Sequence, residues 1–199
     1  MIDDPQYIDG QTPLDPEDLE GIKHPHVMTR GELDQLEQAN IEEGLRWLAR
    51  QRSPDLLSDD FARKLHRKLF GEVWSWAGTY RQTEKNIGID PLQIAVQLRT
   101  LLDDARFWAE HGAYPPVEAA VRFHHRLVAI HPFANGNGRF SRIMADAYLE
   151  DVLEADPIDW GGGYDLQAMN ERREQYIAAL RAADAGDYSL LFEFVGHTG

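Results

Sequence analysis

The chain has 199 residues, 43% of them hydrophobic, a formal net charge of −14 and no cysteine. That length suits one globular domain with a sizeable core, and the missing cysteines exclude disulfides and cysteine-bound zinc. The acidic balance argues against a nucleic-acid backbone as the main partner. No apolar run approaches the roughly eighteen residues of a membrane span. The start, Met1-Ile-Asp-Asp-Pro, lacks the basic and apolar regions of a signal peptide. The expectation is a cytoplasmic protein that engages neither membrane nor nucleic acid directly.

Residues 1–30 are rich in Pro, Asp and Gly and read as an arm draped over the surface of a single domain spanning 31–199. Thr29 followed by Glu32 is a capping box. It opens a helix to about Gln51, with Leu33, Leu36, Asn40, Ile41, Leu45 and Leu48 facing inward. A second helix follows Ser58 and runs to Phe70, burying Phe61, Leu65, His66 and Leu69. Trp74, Trp76 and Tyr80 read as a core aromatic cluster. From Thr79 to Asp90 the helical period fails, and β-branched and polar residues with Gly88 predict a short hairpin. Helices return from Pro91 to about His111 and from Pro115 to Ile130. Pro132 should push His131 out of the α region and stop the second of these. A helix from Arg139 to about Leu153, another from Tyr164 to Ala183 closed by Gly186, and a short last one from Ser189 to Phe194 complete an all-α reading.

The chemistry concentrates in His131-Pro-Phe-Ala-Asn-Gly-Asn-Gly-Arg-Phe-Ser-Arg142. Asn135, Gly136, Asn137 and Gly138 tolerate positive φ, so the backbone can curl and turn successive N–H groups inward as an anion nest. The following helix adds its free N-terminal amides and positive dipole end. Arg139 and Arg142 leave its first turn on neighbouring faces, with forked donors suited to oxyanions. His131, at the preceding helix C-terminus, can accept a proton from an attacking hydroxyl. Arg122, His124, His125 and Arg126 lie in the same stretch, so the acidic chain carries one local basic segment, fit for a small anionic ligand. His124, His125 and His131 also cluster, without the carboxylate spacing of a metal hydrolase.

The twelve-residue segment resembles the signature of Fic (Fido) domain proteins. The likeness runs closest to the bacterial branch called mobile mystery protein B, through Thr12-Pro-Leu-Asp15, Thr29-Arg30 with Glu32-Leu33, Ala39-Asn-Ile41, Val73-Trp-x-Trp-Ala-Gly78, Thr83-Glu-Lys-Asn-Ile-Gly88 and Phe123-His-His-Arg-Leu127. The resemblance implies a Fic-type helical bundle that transfers AMP from ATP to a Ser, Thr or Tyr hydroxyl of a target protein. His131 is then the base. Asn135, Gly136, Asn137, Gly138, Arg139 and Arg142 hold the phosphates, with magnesium bridging them. The segment at about 79–90 becomes a flap that holds the target by strand addition, through Lys85, Asn86 and Ile87. A small helix-turn-helix partner and a toxin-like role are further implications.

Two departures qualify the pattern. The fourth residue after the motif His, usually an acidic metal ligand, is Asn135, whose amide oxygen can ligate magnesium but carries no charge. The inhibitory helix of many relatives has Ser or Thr, three residues, then Glu. Here Ala39 stands at the first position, and the resemblance implies that Glu43 contacts Arg142. Three classes therefore stay open: adenylyl transfer, a Fic enzyme using another phosphate-containing donor or removing AMP, and a non-catalytic nucleotide-binding module.

Overall fold

The computed structural model describes residues 9–27, 29–162, 166–168 and 170–197. Among these the regular elements are helices: α1 (Pro16–Leu19), α2 (Arg30–Leu48), α3 (Asp59–Phe70), α4 (Ile94–His111) preceded by a 3₁₀ turn at Pro91–Gln93, α5 (Pro116–Ile130), α6 (Asn137–Asp151), α7 (Glu171–Asp184) and α8 (Ser189–Phe194). The starts follow from caps. Thr29 Oγ1 accepts from the Glu32 amide at 3.2 Å while the Glu32 carboxylate accepts from the Thr29 amide at 3.0 Å, and Ser58 caps Phe61 at 3.2 Å. Asn170, the first described residue before α7, accepts from the Arg173 amide. The expected helix start at Tyr164 lies outside the described residues, and residues 166–168 are turn.

The helices pack in neighbouring pairs, α2 on α3, α5 on α6 and α7 on α8, with α4 laid on α5. Leu98, Leu101, Ala105, Phe123, Phe133, Phe140, Met144 and Tyr148 are fully buried where α4, α5 and α6 meet. Each large apolar side chain removed from water there contributes about 1.5–3 kcal/mol. Tyr148 donates its hydroxyl to the Ala105 carbonyl at 2.6 Å, so even the polar tip of the core ring is satisfied.

Three sequence expectations need correction. Residues 79–90 form no hairpin: the one bridge in the segment pairs Tyr80 with Phe133. Its polar groups look outward to other elements, with the Arg81 amide on the Pro132 carbonyl at 3.0 Å, Lys85 on Asp15 and Asp18, and Asn86 on the Gln11 carbonyl at 2.8 Å. The Arg81 amide, bonded to Pro132, is unavailable for pairing across a hairpin. Leu45 is 41% exposed, because the close approach of α2 to α3 occurs at Gly44. A Cβ there would lie 2.8 Å from the Lys68 carbonyl oxygen. Arg122 and Arg126 do not join a basic site. They pair with Glu118 and Asp104, and Arg122 stacks on Tyr114 and Tyr188.

Candidate active site

α5 ends at His131, whose φ of 52° and ψ of 62° are left-handed. The helix stops where Pro132 predicts, but His131 takes the left-handed region rather than the extended one. Such a conformation costs a non-glycine residue about 1–2 kcal/mol, so the surroundings must hold it. The His131 amide donates to the Leu127 carbonyl at 3.2 Å, and its carbonyl accepts from Arg81 Nε at 2.7 Å. Gly88, at φ 118°, packs so closely that a Cβ would sit 2.8 Å from the His131 Cβ.

The loop to α6 is braced from inside. The Asn137 side chain accepts from the Phe133 amide at 2.9 Å and donates to the Phe133 carbonyl at 2.8 Å. His66 stacks on Phe133 at 3.7 Å between ring centres. Its Nε2 donates to the Asn135 carbonyl at 3.1 Å, and its Nδ1 accepts from the Gly78 amide at 3.0 Å. That pairing requires a neutral ring, and burial, reinforced by the charge of Arg139, lowers the His66 pKa to about 3. Gly136 caps α6 at φ 78°, with the Phe70 ring 2.7 Å from where a Cβ would be. The first helical bond runs from the Phe140 amide to the Gly136 carbonyl. The amides of Asn137, Gly138 and Arg139 therefore open the helix without intrahelical partners.

One cavity is lined by Thr12, His131, Gly136, Gly138, Arg139 and Arg142, among others. His131, the helix N-terminus and both motif arginines thus share one space. Ile87 also lines it. Asn137 lines it too, but its side chain serves the loop rather than the cavity. Two further cavities adjoin at Arg139, one reaching Trp160 and Ile41, the other Gln35 and Glu42 of α2.

His131 is 5% exposed. Burial first, then the charges of Arg81 and Lys85, lower its pKa to about 3, so the imidazole is neutral near pH 7. Its Nε2 lies 2.9 Å from Thr12 Oγ1. Its Nδ1 makes no hydrogen bond of good geometry, although the Val128 carbonyl is close enough to pull the pKa slightly upward. With Nδ1 carrying the ring proton, Nε2 is the acceptor. The arm expected to drape over the surface therefore reaches His131. Lys85 and Asn86, expected on a flap facing a target, hold this arm in place.

Arg139 forms a 2.7 Å ion pair with Glu37 of α2, at an angle outside hydrogen-bond geometry, and its guanidinium lies over the Phe70 ring. Glu37 is itself fixed by Trp74 Nε1, which donates to it at 2.7 Å. The carboxylate that meets a motif arginine is thus Glu37 and not Glu43. Glu43 is exposed, six residues on and so about 120° around the helix from Glu37. Arg142 instead contacts the Tyr176 hydroxyl at 3.5 Å, and that hydroxyl bonds His124 Nε2 at 2.9 Å.

Magnesium finds no ligand set in these residues. The Asn135 amide oxygen accepts from the Gly136 amide at 2.7 Å and its nitrogen donates to the Thr12 carbonyl at 3.1 Å. No carboxylate is among the described residues lining the cavity. No group of three His, Cys, Asp or Glu among the described residues could hold a metal ion. No described helix is long and apolar enough to cross a membrane.

Residues 56–149 match the Fic/DOC family. Over 149 residues, 71% of this chain, the sequence is 27% identical to the protein adenylyltransferase fic-1 of Caenorhabditis elegans, covering 27% of that protein. Over 170 residues it is 28% identical to the protein adenylyltransferase Fic of Nematostella vectensis, covering 82% of this chain and 38% of that one. The chain thus spans between about a quarter and two fifths of the length of these relatives. A solved structure of Fic-1 from C. elegans superposes with a TM-score of 0.67 at 25% identity, over 82% of this chain and 48% of that one. The BepC protein of Bartonella tribocorum, solved with bound AMPPNP, shares the fold at a TM-score of 0.66 and 17% identity, over 87% and 89% of the two chains. The helical fold, the motif and the matched segment together make this chain similar, through residues 56–149, to proteins of the Fic/DOC family.

Proposed function

We propose that the chain is a protein adenylyltransferase, moving AMP from ATP to a side-chain hydroxyl. The observation that carries this reading is one cavity in which a neutral imidazole bonds a hydroxyl through Nε2 while Arg139, Arg142 and the α6 N-terminus line the adjoining wall. His131 takes the proton of the acceptor hydroxyl as its oxygen attacks the α-phosphorus, and pyrophosphate leaves. The α6 amides and both guanidiniums stabilise the charge that develops. Curated relatives named adenylyltransferases support the choice of AMP as the transferred group.

A second reading is favoured by the absence of a carboxylate among the described cavity-lining residues: a module that binds nucleotide without turning it over. ATP labelled at the α or the γ phosphate separates the two, using wild type and His131→Ala in a cell lysate. Protein-bound α label that requires His131 supports adenylyl transfer, and γ label points to phosphorylation. ATP binding without transfer favours the second reading. The likeness to mobile mystery protein B extends the proposal to a bacterial setting, a toxin-like role and a small helix-turn-helix partner. Its support is the set of short segments such as Thr12-Pro-Leu-Asp15, and co-purification with such a partner is its test. Magnesium, if used, would be held by the phosphates rather than by this chain.

A further inference from the structure

We propose that Thr12 is an intramolecular acceptor, the hydroxyl on which this site places AMP in cis. The proposal rests on the adenylyltransferase reading and adds the identity of a modified residue. Thr12 Oγ1 stands 2.9 Å from His131 Nε2, within reach for direct proton transfer. Through Nε2 the ring engages this hydroxyl, while Nδ1 faces only the Val128 carbonyl without good hydrogen-bond geometry.

The main chain on both sides of this hydroxyl is gripped as a bound peptide would be. The Gln11 carbonyl accepts from the Asn86 side chain at 2.8 Å, and the Thr12 carbonyl accepts from the Asn135 side chain at 3.1 Å. Downstream, the Lys85 ammonium, its side chain 2% exposed, is shared between Asp15 and Asp18. Upstream, the Arg173 guanidinium donates to the Asp9 carbonyl at 2.8 Å. The arm is thus anchored on either side of one threonine. The arginine-lined wall belongs to the same cavity as that threonine. Holding acceptor and base together in one chain also removes the entropy of bringing a second protein to the site.

The step balances with ATP as the only co-reactant. The Thr12 Oγ1–H proton passes to His131 Nε2 as Oγ1 bonds the α-phosphorus. The bond from that phosphorus to the bridging oxygen breaks, and its electron pair leaves with pyrophosphate. The product is a phosphodiester joining Thr12 to AMP.

The test uses the full purified chain and α-labelled ATP, alone and then with lysate, with peptide mass spectrometry to locate the adduct. One AMP is expected on the peptide that contains Thr12, in wild type and in Thr12→Ser, and none in Thr12→Val or His131→Ala. The fraction labelled per unit time should not depend on protein concentration. Label on lysate proteins or on another residue, with Thr12 unmodified, overturns the proposal and leaves the transferase reading intact. Thr12→Val that labels lysate proteins more strongly, with Thr12 never modified in wild type, overturns it in favour of an arm that only plugs the site. No transfer to any protein sinks both.

Discussion

Arg81 Nε donates to the His131 carbonyl at 2.7 Å, so a loop guanidinium fixes the backbone of His131. The same group donates to the Thr83 carbonyl at 2.9 Å and the Ile130 carbonyl at 3.4 Å, and also reaches Ile89. A single ammonium cannot span these carbonyls. Arg81→Lys should therefore leave buried acceptors unpaired and lower stability by about 1–3 kcal/mol, with a larger loss of activity because His131 is no longer held in its left-handed conformation. Denaturant unfolding and transfer assays on the same variant check this. Unchanged activity would mean that the loop holds His131 without Arg81.

Glu37 occupies the guanidinium that phosphate would need. Glu37→Gln keeps an acceptor for Trp74 Nε1 while removing the charge opposite Arg139. Calorimetric titration should show ATP binding several-fold tighter than in wild type. Affinity that is unchanged or weaker would mean that Arg139 stays with α2 when nucleotide binds. Glu43→Gln, on an exposed position, should leave affinity as it is.

The buried imidazoles make stability depend on pH. His66 and His131 are both lowered to about 3 and His124 lies well below its ordinary value, in each case chiefly through burial. Their contribution is complete above the unfolded pKa of about 6.5 and is lost as pH falls toward the folded values, because the unfolded chain takes up protons that the folded one refuses. Asp146, raised to about 6 by burial, acts oppositely and regains stability on acidification. Three rings outweigh the one carboxyl, so stability should fall as pH drops from about 6.5 toward 5. Denaturant unfolding at several pH values measures the slope, and His131→Ala should make it shallower. A flat or rising profile would contradict the buried neutral rings.

The helices and the motif were legible because both are local signals. Thr29 with Glu32, Ser58, and the His131–Arg142 spacing each act within a few residues. The contacts that complete the site cross the chain, with 119 positions separating Thr12 from His131 and 50 separating Arg81 from it. Periodicity reports which face is buried and not what it meets. One signal was available for Glu37: it falls four residues after Leu33, on the stripe that α2 buries, where a carboxylate needs a charged or hydrogen-bonding partner. Arg81 and Thr12 lie in segments without a period, and although Thr12 opens one of the resembling segments, nothing local says that either meets His131. The failed hairpin has the same cause, since Tyr80 and Arg81 pair with the distant Phe133 and Pro132 rather than within the segment.

The central claim is that His131 moves the proton of the acceptor while the arginine-lined wall holds the nucleotide. Transfer of α label from ATP by wild type and His131→Ala, with the ATP dissociation constant measured on both, tests it most directly. The account predicts that His131→Ala slows transfer by about 10²–10⁴-fold with affinity within about twofold. Transfer at the wild-type rate without the imidazole, or a loss explained entirely by weaker ATP binding, would contradict it.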